Sequence, residues 1–210
     1  MYISELRLTR EDYWKIRREN NNVFDVYTVH KLVYSLFPKK ENSANEFLYM
    51  DTDMRGTSRE KQILLVSNVE PQSLPLGRLS CEELPEGFLE QEMYGFEIIA
   101  NPVKRDAKSG KLQAIRSNNP AEQANWFCAK AEKSGFKVEA GSLSIGHTDV
   151  LSFDKDGMSV TIARTQFTGR LRVTERQLFK KTFCQGFGRG KAFGCGLLRI
   201  VPLKPASVDA

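Results

Sequence analysis

Residues 92–201 order their periodicities as strand, helix, strand, strand, helix, strand, and few small folds accept that order. Residues 92–101 alternate apolar and polar in the manner of a half-buried strand and stop at Pro102. Pro120 opens a helix at its first turn with Asn119 as N-cap; Ala124, Phe127, Cys128 and Ala131 share one face, and Gly135 ends it. Residues 136–153 and 158–173 are strand-rich and joined by Lys155-Asp156-Gly157, a hairpin turn. Thr174 then caps a helix to about residue 184, and residues 197–201 form a last strand. The loop at 103–119 carries Lys104, Arg105, Lys108, Lys111 and Arg116 against the single acid Asp106.

The first half follows the same plan less legibly. Residues 2–8 alternate as a strand, and 9–22 form a polar stretch with Arg10, Lys15, Arg17 and Arg18. Phe24, Tyr27, Val29, Leu32, Val33 and Leu36 recur at helical spacing, with Asp25 in the first turn and Pro38 as the stop. Residues 46–51 and 63–67 read as strands joined by a polar turn at Gly56. Residues 69–91, with Pro71, Pro75 and Pro85, read as loop holding a short element and a linker. The order βαββαβ is the split-βαβ, ferredoxin-like pattern. The expected architecture is therefore α+β: two tandem ferredoxin-like (RRM-like) domains, 1–90 and 91–210. That fold hosts many functions, among them single-stranded RNA binding on the sheet face.

Five of the fifteen glycines fall in eleven residues, at Gly186, Gly188, Gly190, Gly194 and Gly196, with Arg189 and Lys191 between them. Glycine permits positive φ and close approach of backbone, and successive N–H groups beside cations make an anion-binding concavity. No Gly-Lys-Ser/Thr closes the run, and no Gly-x-Gly-x-x-Gly follows an early strand, so nucleotide-loop motifs are excluded. Charge divides the chain: residues 1–100 hold 12 Lys/Arg and 17 Asp/Glu, net −5, while 101–210 hold 19 and 9, net +10. A basic half on an acidic one points to a polyanion-facing surface.

No apolar run approaches the roughly 18–20 residues of a membrane span, and residues 1–6 lack a signal-peptide h-region, so a cytoplasmic address and no membrane partner are expected. Cys81, Cys128, Cys184 and Cys195 are widely spaced, and only His30 and His147 are available besides, so reduced structural thiols and no metal are expected.

Four segments in order resemble one family. They are Met1-Tyr2-Ile3-Ser4; Tyr27-Thr28-Val29-His30-Lys31-Leu32 with Leu36-Phe37-Pro38; Phe96-Glu97-Ile98-Ile99-Ala100-Asn101-Pro102-Val103-Lys104 with Ala121-Glu122-Gln123-Ala124-Asn125-Trp126; and Phe167-Thr168-Gly169-Arg170-Leu171 with the glycine run. The chain resembles the CasE-type CRISPR endoribonucleases, the crRNA-processing subunit of the type I-E Cascade complex. The resemblance implies tandem ferredoxin-like domains that bind the stem-loop of a CRISPR repeat. It also implies metal-independent cleavage at the 3′ base of the stem, leaving a 2′,3′-cyclic phosphate or 3′-phosphate, with no cofactor. The crRNA then stays bound beside the other Cascade subunits.

RNA cleavage without metal needs deprotonation of a 2′-OH, stabilisation of phosphate charge and protonation of the leaving 5′-oxygen; histidine suits the proton transfers. The family places a tyrosine and a histidine at the positions of Tyr27 and His30, three apart and so on one helix face. His30 is expected to move the proton, Tyr27 to orient or help deprotonate the 2′-OH, and Lys31 to stabilise the phosphate. Lys104, Arg105, Lys108, Lys111, Arg116, Arg189 and Lys191 are expected to grip RNA phosphates. Some relatives carry a strongly basic hairpin near 153–158. Here that stretch has one cation and two acids, so Arg164, Arg170 and Arg172 on the next strand are expected to share the work. Two other readings remain at this stage: a non-catalytic RNA-binding subunit of a CRISPR ribonucleoprotein, and a ferredoxin-like metabolite-binding or assembly module.

Overall fold

The computed structural model describes residues 1–21, 23–37, 47–52, 60–155 and 158–203. The stop expected at Pro38, the strand start at Glu46, the turn around Gly56, and Asp156 and Gly157 of the hairpin turn lie outside those residues.

In the first half the chain runs β1 (Tyr2–Leu8), α1 (Arg10–Glu19), α2 (Val26–Ser35), β2 (Phe47–Asp51), β3 (Lys61–Ser67) and β4 (Arg78–Glu83). The four strands form an antiparallel sheet in the order β2-β3-β1-β4. The second half runs β5 (Met93–Ala100), β6 (Val103–Arg105), β7 (Leu112–Ala114), α3 (Pro120–Glu132), β8 (Phe136–Val138), β9 (Ser144–Lys155), β10 (Met158–Val173), α4 (Arg176–Gln185) and β11 (Leu198–Pro202). Its sheet has the order β11-β5-β10-β8, with β9 also paired to β10. Both sheets thus place fourth, first, third and second strands side by side, and the protein is two tandem ferredoxin-like domains. Among the described residues no helix joins β3 to β4, and no helix is long and apolar enough to cross a membrane.

Several elements differ from the sequence expectation. The polar stretch expected over 9–22 contains helix α1, Arg10–Glu19: Thr9 and Asp12 form a capping box, acids occupy its first turn, and Arg17 and Arg18 its last. Only Ile16 is fully buried there, so no apolar stripe advertises the helix. Asp25 is the N-cap of α2, accepting from Thr28 N at 2.8 Å, rather than a first-turn residue. Helix α4 is capped by Glu175, which accepts from the amides of Gln177 and Leu178, one residue later than Thr174. The loop at 103–119 contains the β6–β7 hairpin, docked on α3 by Trp126 Nε1 donating to Val103 O at 3.0 Å. The stretch at 69–91 holds β4, paired with β1 from Tyr2 opposite Glu83 to Arg7 opposite Arg78.

Two apolar cores meet at the first sheet. One face, with Leu6, Leu8, Tyr49, Ile63 and Leu65, packs on Val29, Val33 and Leu36 of α2 and its loop. From the opposite face Leu48, Met50 and Val66 enter a second core with Phe127, Phe136, Phe167, Phe179, Phe183 and Phe187. Strand β2 is therefore buried on both faces and shows no alternation.

β5 pairs with β10 only between Arg172 and Thr165, so the earlier part of β10 and its partner β9 project as a two-stranded arm. Across it Arg164 donates to both carboxylate oxygens of Asp149, at 3.0 and 2.6 Å, and Thr148 bonds Thr165. The arm carries Phe153 to the first half, where its ring stacks on Tyr27 at 6.1 Å with 7° between planes.

Candidate active site

Helix α2 presents Tyr27 and His30 one turn apart, and their rings stack at 5.7 Å with 13° between planes. His30 Nδ1 lies 2.6 Å from the carbonyl oxygen of Ala192, 162 residues along the chain. A carbonyl only accepts, so Nδ1 carries the hydrogen and the neutral ring has its lone pair on Nε2. The Tyr49 hydroxyl donates to the same oxygen at 2.8 Å. Burial pushes the Tyr49 phenol up from its ordinary value, so it remains a donor through the neutral range.

Ala192 sits in a 3-10 turn, Lys191–Phe193, bracketed by Gly190 at φ +81° and Gly194 at φ +78°. Left-handed backbone at both ends turns the Ala192 carbonyl onto α2, and glycine reaches it without steric cost. Gly196 closes the run: Phe187 N bonds its carbonyl at 2.8 Å, and a Cβ there would stand 2.4 Å from Phe187 O. Whatever its amides bind, the run also uses a carbonyl to hold the imidazole.

Aromatic rings complete the setting. Phe193 lies 5.5 Å from the His30 ring and 4.7 Å from Phe153, and Tyr34 lies 4.1 Å from His30. Lys31 is exposed, its ammonium 5.2 Å from the Tyr27 ring centroid and 2.9 Å from Asn20 Oδ1. Tyr49, Ala192, Phe193 and Phe153 were absent from the sequence-derived site because nothing local marks them. Only the docking of α2, the glycine run and the arm makes them neighbours.

The expected RNA-contacting cations fall on three surfaces. On the β6–β7 hairpin Lys104 pairs with Glu122, Arg105 bonds Gly110 O at 2.6 Å, and Lys108 and Lys111 are exposed, as is Arg116 just beyond it. A cleft of about 380 Å³ lies beside it, lined by Lys104, Arg116, Asn118, Asn119 and Glu122 among others. On the glycine run Arg189 is exposed, and the Lys191 pKa is lowered, chiefly by burial and secondarily by Lys130 of α3. Lys130 is a cation that spacing could not place there, 61 residues from Lys191. Arg170 and Arg172 are exposed at the far end of β10 from the arm, Arg172 bonded to Glu139 at 3.0 Å. Arg164 does not join them: only 4% of its side chain is exposed and Asp149 binds its guanidinium twice, so it braces the arm instead. Cys195, the buried residue between Gly194 and Gly196 of the run, has its thiol pushed up to about 12 by burial, and the four cysteines are unpaired. Among the described residues no group of three or more His, Cys, Asp or Glu has the arrangement of a metal site.

Comparison with known proteins follows the same outline. A family model described as CRISPR associated protein matches residues 1–202. The Cascade subunit CasE of Escherichia coli (strain K12) is 27% identical over 190 residues, spanning 85% of this chain and 93% of that relative. The CRISPR-associated endoribonuclease Cse3 of Thermus thermophilus is 32% identical over 117 residues, 51% of this chain and 54% of that relative. In fold, a solved CRISPR endoribonuclease Cse3 bound to a 19-nucleotide RNA superimposes with a TM-score of 0.78 at 22% identity, covering 96% of this chain and 100% of that one.

Proposed function

The chain belongs to the CRISPR-associated protein family, and from that membership and the Tyr27–His30 site we propose that it is an endoribonuclease of CRISPR repeats. It binds the repeat stem-loop of the precursor RNA and cuts at the 3′ base of the stem by attack of the adjacent 2′-hydroxyl. The product ends in a 2′,3′-cyclic phosphate or 3′-phosphate and stays bound as the enzyme takes its place in a Cascade complex.

The observation that carries this reading is the His30 Nδ1 bond to Ala192 O at 2.6 Å. It fixes one tautomer and one ring orientation, the preorganisation that proton transfer at Nε2 requires. Tyr27, stacked on that ring, orients the 2′-hydroxyl; Lys31, beside the Tyr27 ring, supplies positive charge near the phosphate. No step needs a metal ion. Lys104, Arg105, Lys108, Lys111, Arg116, Arg189, Lys191, Arg170 and Arg172 supply phosphate contacts to the stem, which position it by shape rather than by sequence.

The test is cleavage of a repeat hairpin in EDTA by wild type and His30→Ala. We expect full cleavage by wild type, and a fall of at least about 10²-fold in the variant, the range for losing a general acid–base group, with hairpin affinity kept. Wild-type binding without product would refute catalysis, and an unimpaired His30→Ala would refute the assignment.

A further inference from the structure

Helix α1 takes no part in the site described above, yet its outward face has a definite composition. Arg10, Trp14, Arg17 and Arg18 fall at i, i+4, i+7 and i+8, one stripe on an α-helix. Ile16 and Tyr13, the latter 4.7 Å from Phe24 ring to ring, anchor the inner side. Trp14 is 43% exposed, the largest side chain among the exposed hydrophobics, and the Arg17 guanidinium lies 5.3 Å from its ring centroid. Three arginines sharing a helical stripe with one exposed indole, Arg17 in contact with its ring, stand out in a half of the chain whose net charge is −5.

The stripe is joined to the site. Asn20, the C-cap of α1, accepts from Lys31 Nζ at 2.9 Å, and that ammonium faces the Tyr27 ring at 5.2 Å. From Trp14 to Asn20 is six residues, about 9 Å of helix at the usual rise. A path therefore runs from Trp14 and Arg17 through Asn20 to Lys31 and ends at Tyr27 and His30. The cations of the glycine run reach His30 by another route, through the Ala192 turn.

Resting on the endoribonuclease reading, we propose that the α1 stripe binds the single-stranded RNA 3′ of the scissile phosphate, the segment released by the cut. Aromatic surface flanked by cations is the chemistry of single-strand binding: each base offers a π-face to Trp14, and phosphates pair with the arginines. Duplex RNA hides its base faces in the stack, so a stem offers the indole nothing. The side follows from connectivity. A strand whose stem is gripped on the second half passes His30 and emerges beyond the cut, and the surface joined to the site by Lys31 is α1.

The test compares three RNAs with a 2′-deoxy residue at the cut to block cleavage: the repeat hairpin ending at the cut, and the same hairpin extended on its 3′ or its 5′ side. Wild type is expected to bind the 3′-extended RNA more tightly than the other two. Trp14→Ala should lose about 5- to 140-fold on that RNA alone, the range for one stacked base, with minimal-hairpin affinity unchanged. An Arg17→Glu/Arg18→Glu variant should lose the same increment and flatten its salt dependence. Equal affinity of wild type for minimal and 3′-extended RNA overturns the proposal, as does a preference for the 5′ extension or one that survives Trp14→Ala. Unchanged RNA affinities together with impaired assembly of the variant would assign the face to a protein partner. Failure of wild type to bind even the minimal hairpin would sink the endoribonuclease reading as well.

Discussion

Replacing Tyr49 by Phe removes one hydroxyl from a side chain that is 1% exposed and leaves its shape intact. That hydroxyl donates to Ala192 O at 2.8 Å, and the same oxygen accepts from His30 Nδ1 at 2.6 Å, so the carbonyl keeps one donor in the variant. The stability cost is accordingly that of one ordinary hydrogen bond, about 0.5–1.5 kcal/mol, or roughly 1–6 °C in melting temperature for a chain of this size. The effect on cleavage should be larger in proportion. With one of two anchors gone the Lys191–Phe193 turn shifts, and His30 shifts with it; misplacement by about 1 Å costs about 10²-fold, so a fall of 10- to 100-fold is expected. The assay is single-turnover cleavage of a repeat hairpin at saturating enzyme, with hairpin affinity and melting measured in parallel. The raised phenol pKa adds a pH condition. A neutral buried phenol contributes below the unfolded group's value of about 10, and its contribution is lost as pH climbs above that. The ratio of wild-type to variant rates should therefore hold steady across the neutral range. An unimpaired Tyr49→Phe rate alongside the small melting shift would refute the shared carbonyl as what orients His30. A matching loss of affinity would refute it too, by making the defect one of folding.

Gly196→Ala should destabilise by about 2–4 kcal/mol, because φ is +87° and the new Cβ would stand 2.4 Å from a backbone oxygen that has no room to move. Gly141→Ala, at φ +69° with nothing within 4 Å, should cost about 1–2 kcal/mol; urea denaturation that ranks the two equally would contradict the packing of the run. Asp149→Asn strands the Arg164 guanidinium, 4% exposed, and should cost about 3–5 kcal/mol, while Arg164→Met/Asp149→Leu should recover most of that. A near-neutral single variant in the same melts would show that the ion pair does not brace the arm.

The second domain was legible because its signals are local: Pro102, Asn119, Pro120 and Gly135 punctuate strong periodicities, and Asn119 does cap α3, accepting from Glu122 N at 3.1 Å. α1 was not legible, since a helix resting on Ile16 and Tyr13 leaves the rest of its surface polar apart from Trp14 and mimics a loop. Nor was β2 fully legible, because burial on both faces erases period two; Leu48 and Met50 serve one core while Tyr49 serves the other. Tyr27 and His30 stood out by helical spacing and by resemblance. Their environment did not, because Ala192 and Phe153 reach them only through tertiary docking. The charge of Arg164 suggested a surface role, but composition alone does not reveal a partner fifteen residues away across a strand pair.

That division bears on how the site is assembled. The imidazole belongs to the first domain, and the carbonyl that orients it belongs to the second. The two are in register only because Leu48, Met50 and Val66 enter the second core, leaving the opposite face of β2 to aim Tyr49 at Ala192. Leu48 also packs where a Cβ on Gly186 would fall, 2.7 Å away, so the start of the glycine run is seated on the first sheet. A rotation between the halves cannot leave the His30–Ala192 bond and this packing both intact, since close-packed interiors repack rather than stretch. Orientation of the His30 ring is thus tied to the same apolar contacts that join the domains. Substitutions at the buried Leu48 or Met50 act on the imidazole through Tyr49 and the glycine run.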